Sequence, residues 1–181
     1  MIGALVAGIT GAGGAVASSY ESIATATGTG SSGTISFTTI PSGFKHLEIR
    51  AIVSDVSEYS PNLQFNSDTG NNYAIHQLYG DGTSAAAAGT ANFNKINLGS
   101  GARGTNNVAA FVCQILDYSS TSKNKTVRSF TGWDSNNTYP GYVGIHSGVW
   151  LSTSAVTRID VIMGGNFSTQ TQIALYGIKE A

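Results

Sequence analysis

Three histidines are the side chains of this sequence best suited to bind a metal ion, but their spacing does not favour a site. His46, His76 and His146 lie far apart in the chain. A transition-metal site takes several His, Cys, Asp or Glu ligands, and two of them often follow each other at a short fixed spacing. His46 falls on the polar face of a predicted strand, which favours a histidine in contact with solvent or with a neighbouring subunit. We therefore predict neither a metal ion nor any other cofactor.

The nucleophiles and carboxylates do not form a recognisable catalytic group. Cys113 lies in the apolar run 108–116, which is typical of a small buried residue. The Gly-x-Ser-x-Gly motif of a strained serine nucleophile is absent. A glycosidase needs two carboxylates in a fixed geometry, and nothing in the sequence selects a pair. Six acidic residues fall in or beside predicted turns, where aspartate more often caps its own backbone than it catalyses: Asp55, Glu58, Asp68, Asp81, Asp117 and Asp134. We predict no enzymatic activity.

Two segments are candidates for ligand binding. Residues 66–73 combine oxygen donors with a central glycine, as a calcium loop does, but they lack the alternation and the terminal glutamate of an EF-hand, so a hydrogen-bonded Asx turn is the favoured alternative. Four aromatic residues flank or lie within the predicted loop 134–140: Trp133, Tyr139, Tyr142 and Trp150. They predict either a platform on which sugars stack, or aromatic packing at the rim of the core or at a subunit interface.

Charge is scarce in this chain. Asp, Glu, Lys and Arg make up 10% of its 181 residues, and the formal net charge is −1. Ordinary soluble domains carry about 25% of these residues. A nucleic-acid-binding face needs a cation for each phosphate contact, and nine basic residues scattered among ten acidic ones do not provide that face. Nucleic acid is therefore not an expected partner.

The first 17 residues are apolar and rich in glycine and alanine. A secretory leader has a positive first segment and a compact apolar core, whereas the first basic residue here is Lys45 and glycines interrupt the apolar run. A membrane span needs about 20 continuous apolar residues, which this segment does not reach. We interpret residues 1–19 as an assembly arm, with an uncleaved leader as the alternative. Its apolar contacts would come from Met1, Ile2, Leu5, Val6, Ile9 and Val16.

The remainder of the chain, residues 20–181, is predicted to form one domain of short β-strands. Polar turns rich in Gly, Asn, Asp and Ser separate the apolar runs, and no segment has the period of an amphipathic helix. This pattern predicts an all-β fold, an antiparallel β-sandwich of the jelly-roll type that follows an extended N-terminal arm. The alanine-rich tract 84–89 is interpreted as a loop because glycines flank it. The predicted strands are 20–27, 34–39, 44–53, 62–66, 73–79, 93–98, 108–116, 125–133, 142–150, 156–163 and 172–178.

Threonine and serine occupy the predicted outward positions of these strands, where an ordinary soluble protein carries lysine and glutamate. Such a surface loses little hydration when it packs against other protein, and it lacks the charges that discourage association between sheets. The composition therefore predicts a subunit of an assembly.

Several segments also resemble small virion proteins of tailed bacteriophages: HLEIR at 46–50, LQFNSDTGNNY at 63–73, QLYGDG at 77–82, ILDY at 115–118, KTVRS at 125–129 and ALYGIK at 174–179. The resemblance spans roughly residues 20–179 and carries over no functional residue. It implies a virion component with a jelly-roll-like domain, either a capsid decoration or cement protein or a part of the neck or tail.

The leading hypothesis is a capsid decoration protein that binds the shell and self-associates. Its partners would be the major capsid protein or neck and tail proteins, and further copies of itself in a closed cyclic oligomer such as a trimer. No membrane is involved in this hypothesis. The alternative is a neck or tail-fibre component whose sandwich binds a glycan on the host surface.

Overall fold

The structure, a computed structural model, describes residues 19–54, 60–102, 107–134 and 140–179. The arm residues Met1, Ile2, Leu5, Val6, Ile9 and Val16 lie outside the described residues, as do Tyr139, Asp55 and Glu58. Every regular element in the described residues is a β-strand, and no helix among them is long and apolar enough to cross a membrane. The predicted all-β class is confirmed.

In the described residues the chain forms twelve strands. In chain order they are β1 (Tyr20–Thr27), β2 (Thr34–Thr38), β3 (His46–Val53), β4 (Asn62–Phe65), β5 (Tyr73–Gly80), β6 (Ala85–Phe93), β7 (Ile96–Asn97), β8 (Ala109–Leu116), β9 (Lys125–Trp133), β10 (Tyr142–Trp150), β11 (Arg158–Ile162) and β12 (Gln172–Ile178).

The strands pair into two sheets, and every pairing is antiparallel. The larger sheet has eight strands in the order β1-β12-β3-β8-β9-β10-β5-β6, and the smaller sheet has the order β2-β11-β4-β7. The inner faces of both sheets contribute to one hydrophobic core. The predicted antiparallel β-sandwich is therefore confirmed.

The core follows from the two-residue period of the strands. In β3, the side chains of Leu47, Ile49, Ala51 and Val53 share one face, and all four are buried. Cys113 on β8 is also buried, and burial raises the pKa of its thiol. The cysteine is thus a small core residue with no reactive thiolate at neutral pH.

The environment of Glu48 differs from what the two-residue period of β3 alone would indicate. The period of β3 puts it on the outer, polar face, yet its side chain is almost completely buried. Arg50 donates a 2.8 Å hydrogen bond to its carboxylate, while Gln114 and Tyr20 reach the second oxygen at 3.3 and 3.4 Å. Neighbouring side chains therefore cover this carboxylate and pair its charge, as a buried charge requires.

The alanine-rich tract corrects the prediction of a loop. Residues 85–89 begin β6, which pairs along β5 as an edge strand of the larger sheet. Alanine on both faces leaves no apolar and polar alternation, so the strand has no visible period. The predicted strand 93–98 divides accordingly: Phe93 ends β6, and only Ile96 and Asn97 form β7.

Candidate assembly face and aromatic pocket

The outer face of the eight-stranded sheet carries a set of exposed hydrophobic side chains. Six of them point away from the core on five adjacent strands, and each is between 41% and 61% exposed. Contiguous apolar surface of this kind marks an interaction site more often than scattered single residues do. We call this set the apolar band; it consists of Ile52, Leu78, Val112, Phe130, Val143 and Ile145.

The register of the strands places four band residues in one line. Val112 pairs with Phe130, Phe130 with Ile145, and Ile145 with Leu78. Directly opposed residues of antiparallel strands have Cβ atoms about 4.5–5.5 Å apart, so these side chains touch in sequence across four strands. The line continues on β3 at Arg50, whose guanidinium pairs with Glu48 of the same chain.

Small residues deepen one half of the band into a groove of about 830 Å³. Ala110, Gly132 and Ala174 form its low points, and the longer side chains of Ile52 and Phe130 rise beside them. Binding sites are usually concave and mainly apolar, as this groove is.

A polar row runs beside the apolar band on the same face. Consecutive register partners across six strands carry hydrogen-bonding or charged side chains. Protein interfaces commonly combine an apolar centre with a polar rim, and the outer face has both parts. The row consists of Tyr176, Glu48, Gln114, Arg128, Ser147 and His76.

The sequence prediction of hydroxyl-rich outward positions holds for only part of the surface. Thr25 and Thr27 on β1, and Ser36 and Thr38 on β2, do point outward. The outward positions from β8 to β5 are instead shared by the apolar band and the polar row. β10 carries apolar residues on both faces, with Val143 and Ile145 on one and Tyr142 and Trp150 on the other. The sequence alone does not show which of these faces meets water.

Trp150 is separated from the other predicted aromatic residues. Its side chain is 3% exposed, and its ring lies 5.5 Å from that of Phe65 and 6.4 Å from that of Tyr73. Its indole nitrogen donates a 2.7 Å hydrogen bond to Asp68. Trp150 is a core residue, available neither to a sugar nor to a partner subunit.

Trp133 and Tyr142 are brought together, and Tyr79 joins them. Trp133 and Tyr142 are register partners at the ends of β9 and β10, with side chains on the inner face. The rings of Tyr142 and Tyr79 stack with centroids 5.6 Å apart. Together with Asp81 and Ser100 these three aromatic residues line a pocket of about 300 Å³, which we call the aromatic pocket. Tyr79 could not be predicted from the sequence to join them, because β5 is distant in the chain from β9 and β10.

The Tyr142 hydroxyl is held by a buried histidine. It lies 3.0 Å from Nε2 of His146, which is 3% exposed. Burial lowers the pKa of His146 to about 4, so the imidazole is neutral at pH 7, and burial together with the nearby Tyr79 raises the pKa of Tyr142 to about 12. Gly144 makes this contact possible, because a Cβ atom there would lie 2.7 Å from the Tyr142 hydroxyl and 2.8 Å from His146 Nε2.

The segment 66–73 forms the favoured Asx turn. Asp68 accepts hydrogen bonds from the backbone N–H of Gly70 at 2.9 Å and from the side-chain amide of Asn72. Its carboxylate is occupied by these donors and by Trp150. In the parts of the chain that the structure describes, no group of three or more His, Cys, Asp or Glu residues is arranged to hold a metal ion.

The other described carboxylates in turns are engaged locally. Oδ1 of Asp81 accepts hydrogen bonds from Thr83 and Ser84, which keep the pKa of Asp81 far below its usual value. Asp117 pairs with Lys123 at 3.0 Å, and its backbone N–H donates a 3.0 Å hydrogen bond to Nδ1 of His46. His46 is therefore only partly in contact with solvent, because one nitrogen is held by its own chain.

Comparison with known proteins gives no family for this chain. No protein-family model matches it, and no curated protein matches it. A solved structure, the xylan beta-1,4-xylosidase from Bacillus halodurans C-125, aligns with a TM-score of 0.27 and 8% sequence identity. The alignment covers 75% of this chain and 28% of the xylosidase chain, and so weak a likeness carries no argument about fold or function.

Proposed function

We propose that the protein is a non-enzymatic structural subunit that packs against further copies of itself through the apolar band. The observation that carries this proposal is the unbroken line from Val112 to Leu78 on the outer face of the larger sheet. These side chains are adjacent to one another, and each is 41% to 61% exposed. When a second surface covers them, their unfavourable contact with water is removed.

The size of this face suits a stable contact between subunits. Eight strands about 4.8 Å apart and about eight residues long present a face of roughly 38 Å by 27 Å. That area exceeds the roughly 800 Å² that each partner buries in a standard interface, so part of the face is sufficient for a stable contact. The groove around Gly132 would receive projecting side chains of the second copy, and the polar row would form the rim.

We interpret the fold as a jelly roll with two inserted hairpins. The orders β1-β12-β3-β8 and β2-β11-β4-β7 are those in which a jelly roll lays its eight strands in two sheets. β5-β6 and β9-β10 then extend the larger sheet, and most of the apolar band lies on this extension. Viral capsid proteins and lectins both use jelly rolls, so the fold is compatible with a particle component without assigning one.

Within this proposal the assembly is a tailed-phage virion, and the protein is a decoration or cement protein of the head. The resemblance to small virion proteins supports the particle, and the apolar arm of residues 1–17 would attach the subunit to the shell. Self-association through the band and attachment through the arm would then act together, and many weak contacts would be multiplied over many copies.

Size-exclusion chromatography with light scattering tests the proposal, followed by addition of the protein to particles stripped of their decoration. We expect a mass that is a small multiple of the chain mass, and co-sedimentation with heads. A monomer at micromolar concentration that binds no particle component would overturn the assembly function.

A further inference from the structure

We infer that the aromatic pocket is a binding site for a neutral saccharide. The pocket lies on the inner side of the sandwich, where β9, β10 and β5 end, and it does not overlap the apolar band. Its volume of about 300 Å³ is at the lower limit of the usual range for ligand sites, roughly 300–1,000 Å³, so it suits a single sugar ring.

The strongest observation is an unpaired donor. Nε1 of Trp133 is buried and has no hydrogen-bond partner among the residues that the structure describes. A buried polar group without a partner costs about 1–3 kcal/mol, and native proteins rarely leave one unexplained. Trp133 lines the pocket, and a small turn of its ring would bring this indole N–H to an oxygen atom of a bound ligand.

The remaining lining groups supply the other contacts that a sugar requires. The flat faces of Tyr79, Trp133 and Tyr142 can pack against the apolar C–H face of a pyranose ring. Hydrogen bonds from Thr83 and Ser84 keep Asp81 ionised, and they meet at Oδ1. The other oxygen, Oδ2, has only a long contact of 3.4 Å with the Ser84 hydroxyl. Oδ2 can therefore accept a hydrogen bond from a sugar hydroxyl.

The unpaired donor also decides between two ligand classes. Aromatic rings beside a carboxylate are a usual arrangement for a quaternary ammonium group, which binds over ring faces. Such a cation has no acceptor atom for the indole N–H of Trp133, whereas every sugar ring offers hydroxyl and ether oxygens. The saccharide therefore satisfies both the ring faces and the donor.

Nitrogen–proton NMR of the full-length protein tests this inference, because the chain has two tryptophans and each gives one indole N–H signal. Trp150 is the internal control, since its N–H is held by Asp68 in the core. Methyl glucoside, methyl galactoside, methyl mannoside and N-acetylglucosamine would each be titrated to about 50 mM, a range that detects millimolar affinity. We expect at least one sugar to shift the Trp133 signal saturably while the Trp150 signal stays in place.

Two variants complete the test, with binding of that same sugar measured by calorimetry. Trp133→Phe keeps a flat ring but removes the N–H, and it should weaken binding about tenfold. Tyr79→Ala removes a ring face and should abolish measurable binding. The inference is overturned if no sugar shifts the Trp133 signal, if both tryptophan signals move alike, or if tetramethylammonium shifts it and the sugars do not. None of these results bears on self-association through the apolar band.

Discussion

The indole nitrogen of Trp150 donates a 2.7 Å hydrogen bond to the carboxylate of Asp68, and this bond ties the last residue of β10 to the turn between β4 and β5. The same carboxylate accepts hydrogen bonds from Gly70 and Asn72. The Asp68 side chain thus stabilises its own turn and also accepts the hydrogen bond of the buried Trp150 indole N–H. The turn that resembles a calcium loop is therefore part of the packing of the core.

Replacing Asp68 with alanine should lower the free energy of unfolding by about 2 kcal/mol at pH 7, because it leaves the buried indole N–H of Trp150 without an acceptor. Urea unfolding followed by tryptophan fluorescence measures the change. Glu21→Ala is the matched control: it also removes a carboxylate, but only from an exposed ion pair with Lys179, and should cost less than about 1 kcal/mol.

The effect of Asp68→Ala should also depend on pH. Burial raises the pKa of Asp68, but the hydrogen bonds from Trp150, Asn72 and Gly70 outweigh it and hold the pKa below its usual value. A carboxylate with a lowered folded-state pKa stabilises the protein above its unfolded pKa of about 4, and this contribution is lost as the pH falls through the folded value. The difference in the free energy of unfolding between the parent and the Asp68→Ala variant should therefore become smaller below about pH 4. An equal difference at pH 7 and pH 3 would contradict this.

His146 should make the protein less stable in mild acid. Its folded-state pKa of about 4 lies below the unfolded value of about 6.5, so between these values the unfolded chain binds a proton that the folded chain does not. Stability should fall by up to about 3 kcal/mol between pH 7 and pH 4 from this residue alone. The His146→Gln variant should lack this part of the loss, when its free energy of unfolding is measured at pH 7 and at pH 4. If the variant lost as much stability between these two pH values as the parent does, groups other than His146 would cause the loss.

Charged substitutions in the apolar band should dissociate the oligomer without unfolding the subunit. Phe130→Asp places a carboxylate at the middle of the line between Val112 and Ile145, where burial in an interface would leave it unpaired. We expect at least a hundredfold weaker association, measured by light scattering over a dilution series. Thr38→Asp, on the outer face of the smaller sheet, is the control and should associate like the parent. Dissociation by Thr38→Asp but not by Phe130→Asp would move the interface to the smaller sheet.

Removal of residues 1–17 should separate attachment from self-association. Because the band lies within the sandwich, the truncated protein should form the same oligomer as the full chain in light scattering. It should fail to co-sediment with stripped particles, since the apolar arm is absent. A truncated protein that still binds heads would assign attachment to the sandwich, and one that becomes monomeric would assign self-association to the arm.

Strands with a clear two-residue period are predictable from the sequence, whereas β6, which has none, is not. β3 and β8 have apolar residues at alternate positions and were predicted within two residues of their ends, whereas the alanines of β6 hide its period. The apolar band was missed because Phe130 and Ile145 become neighbours only through the register of the sheet. For the aromatic pocket, the pairing of Trp133 with Tyr142 follows from a short connection between neighbouring strands. Tyr79 lies beside Tyr142 only because β5 is next to β10 in the sheet, and no local sequence pattern predicts that strand order.

The pairing of Arg50 with Glu48 inside one chain has a consequence for salinity. In the line from Arg50 through Val112, Phe130 and Ile145 to Leu78, the one charge is already compensated before a second copy arrives. Dissolved salt then has little attraction or repulsion to screen between subunits. Contacts along this line should hold equally in dilute water and in brine, and sulfate should tighten them. An assembly joined along this line would hold together when the surrounding water changes its salt content.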